Sequence, residues 1–115
     1  MRILIVDDHP EIRLLIKSVI EDLTDETFEC ADGSEAVAVY RENRPDWVIM
    51  DIKMPKIDGI LATRQLKAAF PAARVIIVTD YNDRRLRKAA LSAGAGEYVI
   101  KDELLRLREI LKTSS

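Results

Sequence analysis

The sequence predicts an α/β chain: a doubly wound, five-stranded parallel sheet in the order 2-1-3-4-5, with five helices shared between its two faces. Three observations carry this expectation. Ile3-Leu4-Ile5-Val6, Trp47-Val48-Ile49-Met50 and Val75-Ile76-Ile77-Val78 are unbroken apolar runs, as in strands buried on both faces. The segments between the strands carry apolar residues three and four apart, the period of an amphipathic helix. Strands alternating with helices call for parallel pairing through right-handed crossovers.

Each element has its own signal. After Ile3–Val6, Asp8-His9-Pro10-Glu11 offers a capping residue and a proline near the first helical turn. Ile12, Leu15, Ile16, Val19, Ile20 and Leu23 then form one apolar helical stripe. Thr27-Phe28-Glu29-Cys30-Ala31 alternates and carries a charge, as an edge strand does. Asp32-Gly33-Ser34-Glu35 turns into a helix running to about Asn43, closed by Pro45. Trp47–Met50 is followed by a loop from Asp51 to Gly59, then a helix with Ala62, Leu66, Ala69 and Phe70 on one face, stopped by Pro71. Val75–Val78 precedes a helix marked by Leu86, Ala89, Ala90 and Ala93 and ended by Gly94. Tyr98-Val99-Ile100 is a short last strand, and Leu104, Leu107, Ile110 and Leu111 mark the last helix. The apolar first, third and fourth strands belong at the centre of the sheet, the mixed second and short fifth at its edges.

At 115 residues, 48% hydrophobic and 33% charged, the chain suits one domain over residues 1–115 and excludes a disordered or low-complexity protein. Its one cysteine, Cys30, excludes an internal disulfide framework and a thiolate zinc site, and fits a reducing compartment. Without a long apolar run or a signal-peptide pattern, the expectation is a cytoplasmic domain with no membrane partner. The net charge of −2 is too small to imply nucleic acid. Its distribution is uneven: residues 1–58 hold 7 Lys/Arg against 14 Asp/Glu, residues 59–115 hold 11 against 6.

In a parallel sheet all strands end on one rim, where ligands bind. The residues that follow the central strands are Asp7 and Asp8, then Asp51, then Thr79, and Lys101 follows the fifth. Carboxylates gathered on one rim repel unless a cation lies among them. Oxygen ligands with positions left for water suit Mg²⁺, and its two charges neutralise the sum over Asp7, Asp8, Asp51 and Lys101. Such an ion can orient a phosphate toward one carboxylate, while Thr79 and Lys101 bind the remaining oxygens; carboxylate attack on phosphorus gives an aspartyl phosphate.

These residues, Asp7-Asp8, Asp51 within MDIKMPKIDG, Thr79, and Tyr98 with Lys101 in EYVIKD, resemble the CheY-like receiver domain of two-component response regulators, over essentially the whole chain. VDDHPEIR and the Lys-Asp after the last strand look most like the branch with LuxR-type DNA-binding output. The resemblance implies that Asp51 accepts phosphate from a sensor histidine kinase. It implies that Asp8 binds Mg²⁺ directly, Asp7 through water, with Asp51 and the main-chain carbonyl of Lys53 also in the metal site. Thr79 would bind the phosphoryl group, Lys101 would pair with it, and Tyr98 would be the switch aromatic, turning inward as Thr79 moves. The domain would catalyse only its own phosphorylation and dephosphorylation. Its partners would be the kinase, a second copy through the last two helices and strand, and DNA only through an output domain absent from these 115 residues.

Several residues stand apart from that pattern. Asp80 follows Thr79 where the family has a small residue; facing the site it would oppose phosphorylation, and otherwise it caps the Arg-rich helix. Asp102 replaces the proline of other branches, so no cis bond is expected after Lys101. His9 reads as a neighbour of a helix cap, while Cys30 and Trp47 read as packed side chains. Lys53 and Tyr81 lie where the family varies its dephosphorylation rate. Arg84, Arg85, Arg87 and Lys88 read as a solvated face, or as a surface for an acidic partner or for self-association.

Two alternatives compete with the phosphorylated switch. One is a degenerate receiver acting only as an interaction module, suggested by Asp80. The other is a Mg-dependent phosphatase with an Asp nucleophile, but its second acid, two residues on, is here Lys53. A flavodoxin-like cofactor carrier is excluded because Asp7-Asp8 would repel a phosphate there.

Overall fold

The structure is a computed structural model and describes residues 1–113. In chain order it contains β1 (Arg2–Val6), α1 (Pro10–Ile20), β2 (Glu26–Cys30), α2 (Ala36–Asn43), β3 (Trp47–Met50), α3 (Gly59–Ala69), β4 (Val75–Thr79), α4 (Arg84–Ser92), β5 (Glu97–Ile100) and α5 (Arg106–Thr113). Single 3-10 turns extend α1 over Glu21–Leu23, lead into α2 over Gly33–Glu35, and follow β5 over Lys101–Glu103. All strands pair in parallel, in the order β2-β1-β3-β4-β5, as the apolar runs predict.

The strand pleat divides the core in two. Leu4, Val6, Val48, Met50, Val75, Ile77 and Tyr98 face α2, α3 and α4, meeting Ala36, Tyr40, Ala62, Leu66 and Ala90. Ile3, Ile5, Ile49, Ile76, Val78 and Val99 face α1 and α5, meeting Ile16, Ile20, Leu107 and Leu111. Alternation along each strand thus supplies both layers, the reason the central runs are apolar throughout.

Local chemistry differs from the sequence expectation at several points. His9, not Asp8, is the N-cap of α1, and its side chain makes no cap bond; Pro10 opens the helix. α4 is capped by Asp83, whose carboxylate accepts from the N–H groups of Arg85 and Leu86 at 2.8 and 3.1 Å, so Asp80 is not the cap. The residue directly before a helix has the reach to its first free N–H groups, and one three places earlier does not. Leu15 is 47% exposed and Ala69 is exposed, because the apolar stripes of α1 and α3 are wider than the surface the sheet and neighbouring helices cover. α2 ends on Arg44, at φ 47°, just before Pro45. α4 gives way to Gly94 at φ 112°, a conformation that suits glycine. Trp47 is buried beneath the Arg74 guanidinium, 4.5 Å from its ring. Cys30 is buried too, which pushes its thiol up to about 12.

The uneven charge also finds partners. Arg108 of α5 grips Asp22 in a bidentate pair at 2.5 and 2.9 Å and donates to the Val19 carbonyl at 2.9 Å. That pair holds the Asp22 carboxyl down to about 2. The basic half of the chain folds back onto the acidic half here and at Lys101.

Candidate functional site

Register sets the site. Val6 pairs with Met50, and the Asp51 N–H bonds the Val6 carbonyl at 2.9 Å, so Asp7 and Asp51 emerge side by side where β1 and β3 end. Thr79 pairs with Ile100, which delivers Lys101 to the same rim. The Lys101 ammonium lies 3.4 Å from Asp7 Oδ2 and 3.5 Å from Asp51 Oδ1. Asp7, Asp51 and Thr79 are buried, at 1%, 5% and 0% exposure.

Burial and, next, the Asp7 charge raise the Asp51 carboxyl to about 6, against the pull of Lys101. Burial works against the Lys101 ammonium, but Asp51 and Asp7 outweigh it and hold the lysine above its ordinary range. One cation between two buried acids leaves negative charge uncompensated.

Asp8 completes an acidic pocket. Its Oδ1 is buried and, among the described residues, has no hydrogen-bond partner. Asp7, Asp8, His9 and Asp51 each place one ligand atom within 4.8 Å of the others. An orphaned carboxylate oxygen beside two further carboxylates is the donor set of a hard divalent cation, so these residues fit the ion that the sequence implies.

His9 is the residue that sequence reasoning missed. Its N–H donates to Asp7 Oδ1 at 2.8 Å, and its Nδ1 lies 3.3 Å from that oxygen and 3.0 Å from Asp8 Oδ1. The Asp7 hydrogen bond and the Asp8 charge raise the imidazole above its ordinary range. Its adjacency to the acidic pair was the available signal, and the proline after it drew the reading toward a cap.

The other expected residues surround this centre. Thr79 Oγ1 accepts from the Tyr81 N–H at 3.2 Å. Tyr98 is buried, its hydroxyl donates to the Tyr81 carbonyl at 2.6 Å, and the Arg87 guanidinium lies 4.7 Å from its ring. The Lys53 ammonium sits 5.5 Å from the Tyr81 ring on the rim. Asp80 is solvated, yet its Oδ2 comes within 3.9 Å of Lys101, so it lies at the edge of the site.

Gly59, first residue of α3, explains part of the loop between Asp51 and that helix. A Cβ there would fall 1.7 Å from the Asp51 carbonyl oxygen. The helix start packs directly on the backbone that carries the carboxylate, which only glycine permits.

The family model for the response regulator receiver domain matches residues 3–112. This chain belongs to that family. Among the relatives of this receiver domain is the uncharacterized transcriptional regulatory protein YhcZ of Bacillus subtilis, 38% identical over 96% of this chain and 54% of that protein. The receiver domain thus spans about half the length of that curated relative. A LuxR-family two-component response regulator from Aurantimonas is similar in structure, with TM-score 0.86, 38% identity and coverage of 97% of this chain and 85% of that one. A chain of the CheX-CheY-BeF3-Mg²⁺ complex from Borrelia burgdorferi has TM-score 0.86 at 29% identity, covering 100% of this chain and 90% of that one. The receiver domain is therefore a two-component signalling domain close to LuxR-type regulators, and none of its described helices is long and apolar enough to cross a membrane.

Proposed function

We propose that Asp51 is a phosphoacceptor and that Mg²⁺ is held by Asp7, Asp8, Asp51 and the Lys53 main-chain carbonyl. The observation that carries this reading is the Lys101 ammonium standing 3.4 and 3.5 Å from two buried carboxylates on adjacent strands. Bound there, the ion supplies charge neutralisation and alignment of the incoming phosphoryl oxygens.

An Asp51 carboxylate oxygen forms the new bond to phosphorus as the phosphorus–nitrogen bond to a sensor kinase histidine breaks, and the departing imidazole keeps the electron pair. Lys101 moves from balancing Asp51 to pairing with a phosphoryl oxygen. Thr79 already accepts from the Tyr81 N–H, which leaves its hydroxyl proton for another phosphoryl oxygen. A shift of Thr79 would pull on Tyr81, whose carbonyl receives the Tyr98 hydroxyl, so charge at Asp51 is conveyed to β5.

The face made by α4, β5 and α5 is then the output surface, for self-association or an attached domain. The transcriptional-regulator and LuxR-family relatives favour a transcriptional output, with DNA recognition residing outside residues 1–115. A sensor histidine kinase in the same compartment, the cytoplasm, would be the donor.

Incubation with a small acyl phosphate and Mg²⁺ should label the wild-type domain and not Asp51→Ala. Labelling of that variant at the wild-type level would overturn the assignment. Asp80 beside Lys101 favours one second reading, the interaction-only module. Failure to bind beryllium fluoride with Mg²⁺ would select it. Steady release of phosphate from a monoester would instead mark the phosphatase, against which Lys53 stands where a second acid is needed.

A further inference from the structure

The metal site proposed above is built from oxygen donors, yet the chain places one nitrogen donor among them. We propose that the His9 imidazole is a ligand of the same ion, and that it biases the site from Mg²⁺ toward divalent ions that accept nitrogen, of the Mn²⁺ and Co²⁺ class. This inference rests on the reading that Asp7, Asp8 and Asp51 hold a divalent cation.

Distances carry it. Ligand atoms about 2.1 Å from an octahedral ion stand about 3.0 Å apart in neighbouring positions. His9 Nδ1 is 3.0 Å from Asp8 Oδ1 and 3.3 Å from Asp7 Oδ1, the separations that donors sharing one ion require. Nδ1 stands at ion-pair distance from both carboxylates, and Asp8 Oδ1 makes no hydrogen bond among the described residues. An ion entering the cluster would take the place of the Nδ1 proton in both contacts. The Asp51 oxygen lies within the same 4.8 Å cluster.

The backbone holds the ring there. The His9 N–H is tied to Asp7 Oδ1 at 2.8 Å, and Pro10 opens α1 directly after it. The imidazole side chain is 53% exposed, so it reaches the ion from the solvent side, where Mg²⁺ would keep water. Ligation through Nδ1 requires the proton on Nε2, and the Nδ1 proton leaves to solvent as the ion binds. Mg²⁺ gains little from replacing water by imidazole, whereas later first-row ions gain much more.

Calorimetric titration of the full 115-residue chain with MgCl2 and with CoCl2, in wild type, His9→Leu and His9→Asn, tests the proposal. Both substitutions should weaken Co²⁺ binding by about tenfold or more and Mg²⁺ binding by less than about threefold. Pulsed electron paramagnetic resonance of the Mn²⁺-loaded wild type should show coupling to a directly bound imidazole nitrogen, absent in His9→Leu. Equal losses for both ions, or a Mn²⁺ spectrum without that coupling, would overturn the role of His9.

Phosphorylation reports separately. Wild type in Mg²⁺ should be labelled at Asp51 by a small acyl phosphate, and this arm tests the phosphoacceptor reading by itself. A nitrogen-coupled Mn²⁺ site in a wild type that takes no phosphate would sustain His9 and sink the phosphoacceptor reading. No binding of any divalent ion to the wild type would sink both.

Discussion

The Tyr98 hydroxyl donates a 2.6 Å hydrogen bond to the Tyr81 carbonyl, joining edge strand β5 to the loop that leaves Thr79. The Tyr81 N–H in turn bonds the Thr79 hydroxyl oxygen at 3.2 Å. One loop residue therefore connects the Thr79 hydroxyl with the aromatic side chain under α4.

Tyr98→Phe tests how firmly that connection is made. The ring stays buried and keeps its packing beneath Arg87, while the Tyr81 carbonyl loses its donor. Urea denaturation should show a loss of about 1 kcal/mol. An unchanged midpoint would mean that the bond adds nothing to the folded state.

Asp51 should lower stability in the absence of divalent ions. Its folded carboxyl titrates near 6 against an ordinary 3.8. A carboxyl raised by folding favours the fold while protonated, so that contribution is lost as pH rises from about 4 through 6. Asp51→Asn removes the ionisable group, and with chelator at pH 7.5 it should be more stable than wild type by about 1–3 kcal/mol. The difference should shrink toward zero at pH 4 and also on adding Mg²⁺, which stabilises only the form it binds. A wild type as stable as the variant at pH 7.5 would contradict the burial argument.

Lys101→Met leaves Asp7 and Asp51 facing each other with no cation between them. At pH 7.5 without metal the variant should lose about 2 kcal/mol, less at pH 5, where Asp51 takes up a proton. Phosphodonor labelling should fall as well. Chemical denaturation at the two pH values reads the first effect, and a loss independent of pH would point to packing instead.

Gly59→Ala forces a methyl group onto the Asp51 carbonyl. The loop must move, at a cost of about 3 kcal/mol, and the carboxylate moves with it. Thermal melting and labelling should both report the damage. A variant that melts and labels like wild type would refute the close approach.

Under the proposed phosphoacceptor role of Asp51, Asp80, 3.9 Å from Lys101, would compete with an incoming phosphoryl group for that ammonium. Because Asp80 is solvated, the competition is weak, and Asp80→Ala should speed labelling by about threefold. Slower labelling would show that the side chain assists instead.

Much of this was legible in the sequence, for reasons particular residues make plain. Ile3–Val6, Trp47–Met50 and Val75–Val78 are covered on both sides, so every position must be apolar and the run announces itself. The mixed Thr27–Ala31 segment reads as an edge for the converse reason. Asp7, Asp51, Thr79 and Lys101 could be brought together because parallel strands share one direction, which places every strand end on the same rim. Leu15 and Ala69 were misjudged because helical period gives the direction of a stripe but not the width of the surface that covers it. Asp80 and Asp83 sit three residues apart in one loop, and only the point where α4 begins distinguishes the cap from the neighbour of Lys101.

By itself the sequence determined the strand order and put Asp7, Asp51, Thr79 and Lys101 on one rim, because apolar periodicity and strand direction are local or follow from simple chain topology; the family came from the resemblance that those residues and their motifs carry. The tertiary structure alone decided which Asp8 oxygen is buried without a partner, how far Lys101 reaches, and that His9 turns back on the acidic pair. Those depend on side-chain distances of a few ångströms between separate elements, which register and packing set only once the sheet has closed around them.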